Sequence, residues 1–322
     1  MLFRRLGRTG LRVSAVCLGT MPFGSQVDES TSIRLLDLAY DGGINFVDTA
    51  EMYASPPSTE SYGKSERILG KWLRTKSRES VVLSTKIAGP NDGMFGVIVP
   101  HIRGGSTALD YHNFILAVEG SLQRLQCDYI DLYFSHWPDR HVPMEAQLEA
   151  FERLMDAGKI RYFGVSNETP WGLTRLATTA ESLGLPGPVC VQNHYNLLER
   201  DYEAGLAEVC TQEGIAMLAF SPLAMGVLSG KYSAGALPED ARLSVFERYR
   251  KRYASEQFLA RADRFVARAR EANLDPAALA IAWVRDQPGV TAVLSSCTRA
   301  EQVEGLLAAS DLRLSGDLRD TL

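Results

Sequence analysis

The sequence predicts an α/β fold, a (β/α)8 TIM barrel with an N-terminal β-hairpin and long loops at the C-terminal face, on three observations. Eight short β-rich runs alternate with amphipathic helical segments along the chain. The runs are continuously apolar, as in "YIDLYF" (129–134) and "GIAMLAF" (214–220), which suits strands covered on both faces. Two connections, 87–110 and about 221–255, are far longer than usual, and both follow the C-terminal end of a strand, the active-site face of a barrel. A doubly wound sheet is the competitor, but it rarely needs eight regular units. No linker divides the chain, so 1–322 reads as one domain.

The elements follow in order. "FRRLGRTGLR" (3–12) reads as a small hairpin turning at Arg8, Thr9 and Gly10, and "VSAVCLGT" (13–20) as the first buried strand. "STSIRLLDLAYDGG" (30–43) places Ile33, Leu36 and Tyr40 at helical spacing and ends on glycines. The pattern then repeats: strand 44–48 and helix 64–75, strand 81–86 and helix 111–126, strand 129–135 and helix 144–157. It continues with strand 160–165 and helix 169–183, strand 188–192 and helix 200–214, strand 216–220 and helix 256–273. A further helix, 276–287, precedes strand 290–294, and a last helix covers 299–309.

Composition narrows the function. The net charge is −5 and no basic block occurs, which argues against nucleic-acid binding or an anionic membrane surface. The opening MLFRRLGRTG has no apolar core or cleavage site, and no run of about 18 apolar residues occurs, so a cytoplasmic protein is expected. Cys17, Cys127, Cys190, Cys210 and Cys297 are odd in number and widely separated, which fits buried thiols better than disulfides or zinc. The histidines form no metal-ligand pair, so no metal is expected.

The polar residues at strand ends carry the chemistry. Asp48 ends the second strand and Tyr53 follows it, Lys86 ends the third, and His136 ends the fourth. Singly, each reads as a turn former, a packing ring or a solvated strand end. Together on one barrel face they suit carbonyl reduction by hydride, in which the oxygen develops alkoxide charge and needs a proton. A tyrosine can give it, although its unperturbed pKa of about 10 is high for reversible transfer. A lysine ammonium beside it favours the phenolate, a carboxylate keeps that lysine charged and oriented, and an imidazole can hydrogen-bond the substrate oxygen. Tyr53 is thus the acid–base group, Lys86 its tuner, Asp48 the lysine's partner and His136 the orienting donor. No GxGxxG follows a strand, so the cofactor is expected near the loops after strands seven and eight. There Phe220 can stack on a flat ring, and Lys231 and Arg242 can bind phosphate.

Over essentially its whole length the chain resembles the aldo-keto reductases. The ordered motifs are "GTMPFG" (19–24), "GINFVDTAEMY" (43–53), "YGKSERILGKWL" (62–73), "STK" (84–86), "SLQRLQCDYIDLYFSHWPD" (121–139), "GKIRYFGVSN" (158–167), "VQNHYNLLER" (191–200), "FSPLAMGVLSGKY" (220–232) and "LSSCTRAEQVEG" (294–305). Tas-like bacterial members are the nearest branch, and the later loop is similar to the potassium-channel β-subunit branch. The resemblance implies that Asp48, Tyr53, Lys86 and His136 form the family's catalytic tetrad. It implies that Ser166, Asn167 and Gln192 hold the nicotinamide carboxamide, with Phe220 stacked on the ring and Thr20 and Met21 beside it. Asp48 also borders the cofactor. Ser221, Leu223, Met225, Lys231 and Arg242 fall in the cofactor-covering segment, and Ser296, Thr298, Arg299 and Gln302 in the stretch that receives the adenosine 2′-phosphate. That stretch departs from the family pattern, with Ser296 for a glycine and Gly305 and Leu306 for a Glu-Asn pair that contacts the adenine. Arg299 still argues for a 2′-phosphate, so NADP(H) is expected, with NAD(H) as the alternative.

Met52 and Trp137, with the 87–110 connection and "SPPSTES" (55–61), are expected to wall the substrate pocket beside Tyr53 and His136. The C-terminal lid looks short, which suits a bulky small-molecule carbonyl or alcohol. Three readings stay open here: a reductase, a dehydrogenase working oxidatively, and a cofactor-sensing module of the channel-subunit kind. A barrel glycosidase built on Asp48 and Glu51 would leave Lys86 and the Ser166–Asn167–Gln192 set unexplained. Oligomeric state is not legible.

Overall fold

A computed structural model describes residues 1–93, 97–239, 241–320 and 322. Met94, Phe95 and Gly96 of the 87–110 connection, and Asp240 of the 221–255 connection, lie outside the described residues.

A hairpin of β1 (Phe3–Arg5) and β2 (Arg12–Ser14) precedes a closed barrel of eight parallel strands. These are β3 (Val16–Gly19), β4 (Phe46–Asp48), β5 (Val82–Ile87), β6 (Ile130–Ser135), β7 (Ile160–Ser166), β8 (Cys190–His194), β9 (Ala216–Phe220) and β10 (Val290–Ser296), in that order, with β10 pairing back onto β3. The outer helices are α1 (Glu29–Asp41), α2 (Lys64–Leu73), α3 (Tyr111–Leu125), α4 (Met144–Asp156), α5 (Pro170–Leu183) and α6 (Leu206–Glu213). After them come α7 (Arg242–Val245), α8 (Glu247–Tyr253), α9 (Glu256–Glu271), α10 (Pro276–Arg285), α11 (Ala300–Asp311) and α12 (Gly316–Asp320). Side-chain caps start several of them: Asp28 accepts from the Thr31 N–H, Asp110 from that of Asn113 and Asp275 from that of Ala278.

Strand alternation produces two cores. Phe46, Val82, Leu132, Phe134, Leu218 and Leu294 point inward and fill the barrel, together with Leu6 and Val13 of the hairpin. The hairpin therefore closes the N-terminal end, which leaves the C-terminal end for polar groups. The other faces, including Val47, Leu83, Tyr133 and Phe163, pack on the helices in a larger cluster.

Two expectations, for 13–20 and 200–214, are corrected. The segment 13–20 is not one strand: it breaks at Ala15, because Arg12–Ser14 pairs antiparallel with β1 while Val16–Gly19 enters the barrel. The helix over 200–214 is a 3₁₀ turn, Asp201–Glu203, followed by α6, because Gly205 at φ 119° interrupts it. The connection 221–255 is structured, with a 3₁₀ stretch at Ala224–Ser229 and then α7 and α8. Beyond 309 the chain forms α12, which the apolar pattern did not announce.

Candidate active site

Parallel strands bring like ends together. The register pairs Gly19 with Asp48, Asp48 with Ser84, Ser166 with Gln192 and His194 with Phe220. Inside this rim Lys86 is fully buried. Its Nζ donates to Asp48 Oδ2 at 2.5 Å and to the Thr49 carbonyl at 2.7 Å. The other Asp48 oxygen, Oδ1, accepts from Ser84 Oγ at 2.7 Å and Gln192 Nε2 at 3.0 Å. Donors on both oxygens fix the geometry of this buried carboxylate.

Tyr53 stands on the turn after β4, where its N–H donates to the Ala50 carbonyl at 3.0 Å. Lys86 Nζ lies 5.3 Å from the Tyr53 ring centre, and the His136 ring meets Tyr53 edge-on, with centres 5.6 Å apart and planes at 80°. His136 follows β6, and its N–H donates to the Ile87 carbonyl at 2.9 Å. All four strand-end residues are thus in one place. Burial, and then the Lys86 charge, push the His136 imidazole well below its ordinary pKa, so the ring is neutral. Among the described residues its buried Nδ1 has no hydrogen-bond partner.

The phenol departs from expectation. Burial first, and the Asp48 carboxylate second, push Tyr53 well above the ordinary phenol range. The Lys86 ammonium is engaged by Asp48 and Thr49, so in this state it does not offset the loss of solvation.

Beside these groups, Ser166 Oγ donates to the Gln192 carbonyl at 2.7 Å. Asn167, at φ 57°, donates from Nδ2 to the His136 carbonyl at 2.8 Å and to Ser166 Oγ at 3.2 Å. One polar chain therefore runs from Lys86 through Asp48, Gln192, Ser166 and Asn167 to His136.

Comparison with known proteins gives this geometry its context. The Aldo/keto reductase family model matches residues 15–319. The chain belongs to the aldo-keto reductase family. It is 40% identical to Protein tas of Escherichia coli over 336 aligned residues, covering 99% of this chain and 95% of that one. The Bacillus subtilis oxidoreductase YrpG is 36% identical, with 99% and 94% covered. A probable voltage-gated potassium channel subunit beta of Arabidopsis thaliana is 34% identical, with 97% and 92% covered. The fold and the oxidoreductase class are those of the aldo-keto reductases.

Other expected residues of the aldo-keto reductase site are placed as follows. Phe220 ends β9 half-buried, its ring 6.1 Å from that of His194. Ser221, at φ 58°, and Met225, at φ 57°, lie in the connection after β9, and Leu223 and Met225 rest on the core. Lys231 folds over Gly226, where an added Cβ would lie 2.5 Å from its Cε. Arg242 donates to Met225 Sδ at 3.6 Å, and burial pushes its guanidinium pKa down. Among the described residues no carboxylate pairs with it. Ser296 sits at the close approach of β10 to β3, and Arg299 is exposed at the start of α11.

Several of the other expected residues have partners within the chain. The Thr20 hydroxyl is fully buried, donates to the Asp48 carbonyl at 3.1 Å and accepts from Ser65 Oγ at 2.6 Å. The carbonyl of Met21 accepts from the Ser55 N–H at 3.0 Å. Gln302 Oε1 accepts from the Thr298 N–H at 2.7 Å and its hydroxyl at 3.2 Å, so it caps its own turn. Met52 and Trp137 are buried with Ala50, Ala88, Val99 and Ile102, and Trp137 Nε1 donates to the Pro90 carbonyl at 3.0 Å. They fasten the 87–110 connection to the rim. The sequence reading missed Ser84, although the period-2 rule puts it on the same face as Lys86, two residues on.

Proposed function

We propose that this protein is an NADP(H)-dependent carbonyl reductase in which Tyr53 gives the proton. The observation that carries the reading is the buried Lys86–Asp48 pair beneath Tyr53, with neutral His136 edge-on to the phenol. The residues fit the cofactor. Among the described residues Arg242 has sulfur rather than a carboxylate as its neighbour and His136 Nδ1 is unsatisfied, and Arg299 is exposed at a helix start. When bound, the reduced nicotinamide supplies a hydride to the carbonyl carbon. Ser166, Asn167 and Gln192 would hold its carboxamide and Phe220 would cover its ring. His136 holds the carbonyl oxygen, Tyr53 Oη gives that oxygen its proton, and Lys86 neutralises the phenolate that remains.

The raised phenol pKa supports Tyr53 as the proton donor of the reductive step. Two pH profiles follow. The phenol, displaced upward from about 10, stays protonated on the alkaline side, and the imidazole, displaced downward from about 6.5, stays neutral on the acid side. The kcat for reduction is therefore expected to be flat between about pH 6.5 and 9. Alcohol oxidation must begin from a deprotonated Tyr53, so its rate is expected to rise with pH over the same interval. Stopped-flow measurement of both directions checks this, and a phenol ionising near neutrality would show as a falling reduction limb.

Cofactor choice is tested at Arg299. Replacement by alanine is expected to raise the KM for NADPH about 10–100-fold, the worth of one charge-assisted hydrogen bond, with the KM for NADH unchanged. Equal loss for both cofactors would place Arg299 away from the 2′-phosphate. A panel of aldehydes, ketones and alcohols, with 4-nitrobenzaldehyde as the simple probe, tests the function as a whole. Tight NADPH binding with no turnover of any member would favour a cofactor-sensing module.

A further inference from the structure

Glu51 stands between Asp48 and Tyr53, and its side chain is fully buried. Arg103, from the 87–110 connection, grips it with two bonds, Nη1 to Oε2 at 2.8 Å and Nη2 to Oε1 at 3.0 Å. Oε1 also accepts from the Ala88 N–H at 2.7 Å. The Glu51 backbone N–H donates to the Lys86 carbonyl at 3.1 Å, and its carbonyl accepts from the Gly63 N–H at 3.0 Å. Arg103 Nε in turn donates to Asn113 Oδ1, in the first turn of α3, at 2.8 Å. One residue therefore joins the turn that carries Tyr53, the backbone on both sides of Ile87, and the connection over the barrel mouth.

Stability alone does not account for this arrangement. Burying an ion pair has a desolvation cost that a well-packed apolar pair avoids. A bidentate carboxylate–guanidinium contact adds direction, which apolar packing does not provide. We propose that Glu51, clasped by Arg103, is a positioning residue that holds the Tyr53 phenol in register with the Lys86 ammonium. The proposal rests on the reductase reading above and adds two residues that this reading does not use.

The test uses the full-length Glu51→Gln and Arg103→Met variants, with active sites counted by NADPH fluorescence titration. The kcat per site is expected to fall about 10–100-fold, as for a displacement near 1 Å, with the KM for NADPH within about twofold of wild type. The isotope effect with deuterated NADPH is expected to rise, because the misaligned chemical step becomes slower than product release. A merely structural role would lower the number of sites and leave both quantities per site unchanged. The double variant removes both charges, so it is expected to recover stability without recovering kcat. Hydrogen exchange in segments 49–54 and 86–90 is expected to quicken in either single variant, whether or not a substrate is known. Wild-type kcat and isotope effect per site in Glu51→Gln, or unchanged exchange in both segments, would overturn the proposal. If instead Tyr53→Phe turns over carbonyls as wild type does, the reductase reading fails, and exchange still decides the clasp.

Discussion

Replacing Tyr53 with phenylalanine is expected to lower kcat for carbonyl reduction about 10²–10⁴-fold, the usual worth of a positioned general acid. The substitution removes one oxygen from a half-buried ring and leaves the edge-on contact with His136 in place. NADPH affinity is therefore expected to stay within about twofold, since a single phenol outside the proposed carboxamide and phosphate contacts contributes less than one net hydrogen bond to it. Steady-state kinetics and fluorescence titration on the same preparation check both halves. Wild-type turnover in the variant would remove Tyr53 from the mechanism and with it the proposed reaction.

Replacing Lys86 with methionine is expected to damage both activity and folding. The ammonium is completely buried, and Asp48 Oδ2 has it at 2.5 Å. Methionine fills much of the volume but leaves that carboxylate oxygen without its cation, while Ser84 and Gln192 still serve Oδ1. Breaking a buried pair in this way costs about 3–5 kcal/mol of stability. Urea unfolding monitored by circular dichroism measures it. Turnover is expected to fall at least as far as in Tyr53→Phe, because the phenolate left by proton transfer has lost its neutralising charge. A Lys86→Met, Asp48→Leu double variant removes both charges and is expected to recover part of the stability and none of the activity. Recovered activity would show that the pair is structural.

Much of the site was legible along the chain because it follows from strand position. Asp48, Lys86 and His136 end consecutive barrel strands, and parallel strands place like ends on one rim, so their meeting follows once the eight-strand pattern is read. Ser166 and Gln192 are brought together in the same way by the β7–β8 register. What the chain does not show is which partners these side chains take within the fold. Gln302 Oε1 caps the turn at Thr298. The Thr20 hydroxyl meets the Asp48 carbonyl and Ser65. Met52 and Trp137 are covered by the 87–110 connection, which has no periodicity to read.

The sequence by itself determined the barrel, the order of its strands and the strand-end residues, because these depend on local apolar periodicity and on the rule that parallel strands share an end. Only the tertiary structure decided the protonation states and the clasp. Burial and the Asp48 charge hold the Tyr53 phenol protonated, against the expected lowering by Lys86, since desolvation depends on everything packed around a group. Along the chain Glu51 stood out only as a carboxylate near Asp48, and the fold places the Arg103 guanidinium and the Ala88 N–H on its two oxygens.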